Sequence, residues 1–497
     1  MATTLTEGML ERLAGWRGFR AVVIGDFMLD ELVFGDAERL SADAPVPVLR
    51  VSRTERRAGG AANLCLALAA LGGKVTAVGV VGRDEPADAL RAALEHEGVE
   101  SQGLVGDPGR PTTQKQNLIG LAQARHPQKM FRVDRESREP VSEASADALV
   151  ARAAEAARDA DVVCIEDYAK GVCSEDVCAR VIEAAKRLGK PVLVDPASRD
   201  SFARYRGATA ITPNRTEAER ATGMPTHASA DRAHNAELAR RLRDALELDA
   251  VVLTLDRHGA LLLEEGKEPE TVPTVAREVY DVTGAGDMML AALAAARANG
   301  FAWIESVAFA NAAAGLAVEQ FGVAPIPFER VYARMLHEHA GEAGKVRTLE
   351  QARLESRARR SQGQNVVFTN GCFDLLHRGH VTLLERARSF GDYLVVGLNT
   401  DASVRRLKGD SRPVNSEADR AQVLGALESV DAVVLFDEDT PESLIEAIEP
   451  DVLVKGADYA REEVVGGAFV ESRGGRIELV NLVEGYSTTG AIERLRG

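Results

Sequence analysis

The stretch EVYDVTGAGDMMLAALAAA, Glu278 to Ala296, runs a Gly-rich turn straight into an Ala-rich helix. In such a turn the backbone N–H groups of Gly284, Ala285 and Gly286 point at an anion, and the helix N-terminus adds a favourable dipole. Asp287 is a poor phosphate ligand because like charges repel. Its position suits a general base, taking a proton from an attacking hydroxyl while the amides hold the transferring group. The alternative is a Gly-rich turn capped by Asp, and the surrounding chain decides between the two.

Upstream, AVVIGD, VTAVGVVG, DVVCIED, PVLVDP, TAITPN and AVVLTLD are short apolar runs, as in strands buried on both faces, and Ala-rich helical stretches separate them. That alternation predicts a parallel sheet with crossover helices. Glu31–Arg53, with its prolines and alternating residues, predicts a small β flap over the sheet edge. From Val331 to Ser361 the strand signals stop and the chain turns polar. A second βα series follows with NVVFTN, DYLVVGLN, DAVVLF, DVLVKG and RIELVNL. The expected organisation is α/β throughout: a doubly wound domain with a β flap over residues 1–335, a partly helical flexible linker over 336–362, and a smaller Rossmann-like α/β domain over 363–497.

A chain of 497 residues is too long for one ordinary core. With 60 Lys and Arg against 76 Asp and Glu, the net charge of -16 argues against general binding of nucleic acid or anionic membrane, though a pocket can be locally basic. Five scattered cysteines form no disulfide framework, and Cys173 and Cys178 read as buried helix residues rather than metal ligands. No apolar run spans a bilayer and the start lacks a signal-peptide pattern, so the expected location is cytoplasmic.

The second motif is FTNGCFDLLHRGH, Phe368 to His380, between an apolar strand and a helix. His377 and His380 stand three residues apart at a helix start, so both rings can address one phosphate group. Gly379 allows close backbone approach. A zinc pair is the weaker reading, since no Cys or carboxylate cluster accompanies the histidines at ligand spacing.

The Glu278–Ala296 stretch, with AGGAAN at Ala58–Asn63, resembles the signatures of the ribokinase-type carbohydrate kinases. That resemblance implies ATP as phosphoryl donor and a sugar held by Gly59, Gly60 and Asn63. GDFMLD (Gly25–Asp30) resembles the first-strand motif, which implies that Asp26 and Asp30 meet sugar hydroxyls. NRTE resembles the motif that organises Mg²⁺ through water, with Asn214 and Glu217; an ordinary Asn-capped helix start is its alternative. TLDRHGA resembles the nucleotide-side turn and implies ATP contacts at Thr254 and Gly259, although Asp256 stands where a small residue is common. Asn311 would lie near the base, and Met288 departs from the small residue usual after GAGD.

Phe368–His380 resembles the cytidylyltransferase-like nucleotidyltransferases. The resemblance implies that the two histidines stabilise charge on nucleotide phosphates, that Thr369, Asn370 and Gly371 form the first phosphate turn, and that Asp374 sits beside the site. Within further matched loops, Lys408, Arg412 and Lys455 are phosphate candidates. Ser487, Thr488 and Thr489 read as a second helix N-terminus donating to phosphate, or as simple capping.

Order and loops together, including APVPVL (Ala44–Leu49) and DYAKG (Asp167–Gly171), resemble the bifunctional heptose 7-phosphate kinases/heptose 1-phosphate adenylyltransferases of bacterial lipopolysaccharide synthesis. The resemblance implies sugar phosphates and ATP as small-molecule partners, a homodimer through the β flap, Lys170 at a substrate phosphate, and tethered domains without direct channelling. Two alternatives stay open: another sugar kinase fused to a glycerol-3-phosphate-type cytidylyltransferase, and a non-catalytic sugar-phosphate sensor or scaffold.

Overall fold

In the computed structural model the described residues are 7–121, 127–228, 230–274, 282–320, 323, 325–457 and 460–481. They divide into two compact units, one built on residues 17–328 and the other on residues 7–16 together with those described from 329 to 481.

The first unit contains strands β1 (Phe19–Gly25), β2 (Phe27–Leu40), β3 (Pro47–Gly60), β4 (Gly73–Val81), β5 (Glu100–Gly106), β6 (Thr113–Gly120), β7 (Gln128–Arg135), β8 (Val162–Glu166), β9 (Val192–Asp195), β10 (Ala210–Ile211), β11 (Ala250–Thr254), β12 (Ala260–Glu264) and β13 (Glu270–Val272). Its main sheet runs β13-β12-β11-β10-β9-β8-β1-β4-β5. It is parallel from β11 to β5 and ends in antiparallel β12 and β13. All six expected strand runs are found in it. Val162–Glu166 is buried along its whole length, as a strand covered by helices on both faces must be. The helices Ala61–Ala70 and Ala285–Ala298 are rich in small side chains and pack on each other. The order of strands reverses around β1, which opens a crevice at the carboxyl ends of β1 and β8.

The expected β flap is larger than its sequence signal. β2 and β3 form a long hairpin, and β6 and β7 extend it into a sheet ordered β3-β2-β6-β7.

The second unit carries β14 (Val346–Arg347), β15 (Val366–Gly371), β16 (Tyr393–Asn399), β17 (Ala432–Phe436), β18 (Val452–Gly456) and β19 (Arg476–Val480), ordered β14-β17-β16-β15-β18-β19 and parallel. Most of the stretch expected to be a flexible linker is integral here. β14 pairs with β17, and the helix Leu349–Ser361 buries Ala352, Leu354 and Ala358. Arg347 and Glu355 form a buried ion pair at 3.0 Å, and the Tyr393 hydroxyl donates to the same carboxylate at 2.6 Å. The polar residues that looked like linker are therefore partly a satisfied internal network. Among the described residues, no helix is long and apolar enough to cross a membrane.

Candidate active sites

In the first unit Asp287 lies in the first turn of the helix Ala285–Ala298, 4% exposed. Gly284 caps that helix in a left-handed conformation at φ 80°, and a Cβ there would come within 3.0 Å of Val323. Ala285 and Gly286 follow in the helix's first turn, where the Ala285 N–H reaches back to the Val282 carbonyl at 3.3 Å. Asp287 Oδ1 accepts from the Tyr168 hydroxyl at 2.7 Å. Burial raises its pKa, while hydrogen bonds from Tyr168 and Asn63 and the charge of Lys115 pull it back.

Asp30, Asn63, Gly284, Asp287 and Met288 line one cavity of about 1110 Å³. Gly59 must be small, because a Cβ there would come within 2.6 Å of Asp30 Oδ2. Gly60, at φ 58°, sits against the Asp26 carbonyl. The wall of the cavity also carries Lys115, Lys129, Arg132, Arg56 and Arg57. In a strongly acidic chain this is a local basic surface, and the sequence reading did not find it. Burial raises the Asp30 pKa, offset by Lys115 and Arg132.

Several expected contacts fall elsewhere. Asp26, expected at a sugar hydroxyl, is 1% exposed, and both its oxygens accept backbone amides, Tyr168 and Lys170 at 2.9 Å and Val172 at 3.1 Å. Burial, then the neighbouring Asp167, pushes its pKa up to about 6. The Lys170 ammonium pairs with Glu136 at 2.5 Å and does not line the cavity. Asn311 donates to the Val272 carbonyl at 2.8 Å, so its amide holds β13. Asp256 takes φ 52°, the left-handed region that explains why a small residue is common there, and Gly259 at φ 85° abuts the Val272 carbonyl. Thr254 bridges to Asn214.

Asn214 and Glu217 form a reciprocal capping box, each side chain bonded to the other's backbone N–H at 2.9 Å. Deeper, Glu166, Asp195 and Asp287 bring carboxylate oxygens within 4.8 Å of one another, and Glu166 Oε2 is buried with no hydrogen-bond partner. Burial drives the Glu166 and Asp195 pKa values well up, and Glu217 adds to the effect on Asp195. This acidic group was not found from sequence.

In the second unit His377 caps the helix Arg378–Arg388, and His380 stands one turn in. Gly379 is buried between them. His380 also meets the ring of Phe373, 5.2 Å away, and Phe373 itself sits at φ 42°. Asn370 accepts from the Lys455 ammonium. Gly371 faces the Phe373 ring, which a Cβ would approach to 3.1 Å. Thr369 turns away from the turn it was expected to form: it is fully buried, and its hydroxyl donates to Val454 O at 3.0 Å. Asp374 is also inward-facing. It accepts from Arg412 at 2.5 Å and from the amides of Val414 and Asn415 at 2.6 and 3.1 Å, so it anchors that loop. Arg412 is thereby committed to a carboxylate. Lys408 is exposed and close enough for its charge to act on the Cys372 thiol. Buried Arg420, unremarked in the sequence, ties Cys372, Asp401 and Asn415 together at 2.6 to 3.2 Å. Ser487, Thr488 and Thr489 lie outside the described residues.

Comparison with known proteins agrees with this two-site arrangement. Residues 19–329 match the pfkB family carbohydrate kinase model, and residues 368–477 match the cytidylyltransferase-like model. The chain is 47% identical over 481 residues to the bifunctional protein HldE of Geotalea uraniireducens, covering 97% of this chain and 96% of that one. It is 44% identical to the HldE of Wolinella succinogenes, covering 96% and 98%. In fold, the first unit is similar to Arabidopsis thaliana ribokinase solved with ribose and ATP, with a TM-score of 0.51 at 23% identity over 64% of this chain and 99% of that one. Escherichia coli phosphofructokinase-2 with fructose-6-phosphate gives 0.51 at 19% identity, with the same coverage. The chain belongs to the HldE family of bifunctional proteins, enzymes that join a pfkB-type carbohydrate kinase to a cytidylyltransferase-like nucleotidyltransferase.

Proposed function

We propose that the chain serves ADP-heptose synthesis for the lipopolysaccharide core. Its first unit transfers the γ-phosphoryl group of ATP to O1 of D-glycero-β-D-manno-heptose 7-phosphate. Asp287 takes the O1 proton, O1 bonds to the γ-phosphorus, ADP leaves, and the amides of Gly284–Gly286 hold the developing charge. The observation that carries this reading is the cavity itself. Asp287 stands at one side, and Lys115, Lys129 and Arg132 supply a basic wall for a substrate that already bears a phosphate.

The second unit couples heptose 1-phosphate to AMP. A phosphate oxygen of the sugar attacks the α-phosphorus of ATP and pyrophosphate leaves, while His377 and His380 donate to the nucleotide phosphates. A separate phosphatase must remove the 7-phosphate between the two steps. Mg²⁺ fits the oxygen-only group in which Glu166 and Asp195 bring carboxylate oxygens within 4.8 Å of Asp287, with the Glu217 charge acting on Asp195; bound there, it would neutralise charge on the ATP phosphates.

Two copies pair through the four-stranded flap, where Leu40, Val51 and Phe131 are exposed. The free thiols suit a reducing, ATP-rich cytoplasm. The deciding assay offers heptose 7-phosphate and heptose 1-phosphate, each with ATP or CTP, and reads product mass. A 1,7-bisphosphate and ADP-heptose are expected. CTP preference, or no turnover of either sugar, overturns the reading.

A further inference from the structure

We propose that Tyr168 is a positioning residue of the kinase reaction, holding Asp287 so that one carboxylate oxygen stays turned toward the sugar hydroxyl. The inference rests on the reading of Asp287 as the base.

The contact joins two separate parts of the fold. Asp287 sits on the helix Ala285–Ala298, whereas Tyr168 comes from the loop after β8, and its hydroxyl meets Oδ1 at 2.7 Å. An aspartate carboxylate turns easily about its last torsion, where the energy wells are broad and two-fold. The Tyr168 donor on Oδ1, beside the hydrogen bond from Asn63, removes that freedom and fixes the plane of the carboxylate. Proton transfer in a near-attack geometry depends on such placement, and small misplacements are costly in rate.

The Tyr168 side of the contact is itself fixed. Asp26 takes the backbone N–H groups of Tyr168, Lys170 and Val172. Asp167, the preceding residue, receives the Tyr205 hydroxyl at 2.6 Å and the Ala169 amide at 2.7 Å. Two buried carboxylates thus clamp the loop that presents one hydroxyl. Lys115 lies over the Tyr168 ring, 5.4 Å from its centroid, so the ring also borders the basic wall. Burial beside Asp287 raises the phenol's pKa, so the hydroxyl stays a donor. The Asp26 and Lys170 positions, expected at substrate, take part here as supports of the loop.

Tyr168→Phe keeps the ring and deletes the donor. The expected result on the full-length enzyme is a 10- to 100-fold fall in kinase kcat, with KM for ATP and heptose 7-phosphate within twofold and adenylyl transfer unchanged. In an Asp287→Asn background the same change should alter the residual rate less than twofold, since the hydroxyl acts through the carboxylate. Placing 3,5-difluorotyrosine at 168 restores a donor in the same ring and should recover at least half the wild-type kcat, which also separates positioning from lost packing. A normal kcat in Tyr168→Phe overturns the inference, as does a raised KM alone or a full rate penalty in the Asp287→Asn background. If Asp287→Asn itself retains kcat, the base assignment fails; if only Tyr168→Phe is silent, this inference fails alone.

Discussion

The His377 and His380 rings stack 3.9 Å apart, centroid to centroid, and 15° from parallel. Burial first, and then the neighbouring His377, lowers the His380 pKa to about 4, and burial lowers that of His377 as well. Both shifts favour the neutral imidazole, in which each ring still carries one N–H to donate to a phosphate oxygen. Replacing either by Ala should lower adenylyl-transfer kcat more than it raises KM for ATP, at a cost of about 3 kcal/mol each, as for one lost oxyanion donor. Pyrophosphate release at saturating heptose 1-phosphate, beside direct ATP binding, checks this. Lost ATP binding with a normal kcat would make the histidines ground-state ligands.

The same depressed pKa predicts a pH effect with a definite sign. An unfolded histidine titrates near 6.5 and folded His380 near 4, so the unfolded state binds the extra proton first. Stability is complete above about pH 6.5 and is lost as pH falls toward 4. Thermal inactivation of adenylyl transfer should accelerate between pH 7 and pH 5 in the wild type, and less in His380→Gln if residual activity is followed. Equal acceleration in both would remove His380 as the cause.

Asp26→Ala should leave three amides of the 168–172 loop without their acceptor. Hydrogen bonds to a charged group contribute about 1.5–3 kcal/mol each, so a loss of several kcal/mol is expected. Calorimetry should show it in a transition that kinase activity follows and adenylyl transfer does not. A change confined to sugar KM would instead return Asp26 to the substrate.

Lys115→Met should raise KM for heptose 7-phosphate at least tenfold, because one cation of the cavity wall is lost without change of shape. Initial rates against sugar concentration measure it. An unchanged KM would place the substrate phosphate elsewhere.

A fragment of residues 345–497 should fold and transfer adenylyl groups, whereas 363–497 should not. The shorter piece lacks β14, the helix burying Ala352 and Leu354, and Lys345, whose ammonium donates to the carbonyls of Leu427 and Val430 at 2.8 and 2.6 Å. Circular dichroism of the two fragments decides it.

The strands of both main sheets were legible because β-branched runs buried on two faces leave no polar position to obscure them. β6 and β7 were not, since TQKQNLIG and QKMFRVDR are partly exposed and carry Lys115, Lys129 and Arg132 of the cavity wall. β14 is two residues long and its neighbouring helix hides charged groups in a paired network, so local composition pointed to a linker. Among site residues, Asp287 and Asn63 announced themselves through glycine motifs that need their backbone geometry. Tyr168, Lys115 and Arg420 gave no such signal, because their roles come from contacts between distant segments. The internal bonds of Asp26 and Asp374 were hidden for a related reason: a carboxylate that holds backbone amides looks the same in sequence as one that holds a ligand.

Placing β1 between β4 and β8 also sets a timetable for synthesis. The Asp26 carboxylate meets its first amide partner 142 residues later in the chain. At 5–20 residues per second, translation takes roughly 7–30 s to supply it. Until then one edge of β1 stays unpaired and a charge destined for the interior stays in water. A ribosome that stalls before β8 emerges would therefore hold out an open strand edge, the form of nascent chain most in need of a chaperone.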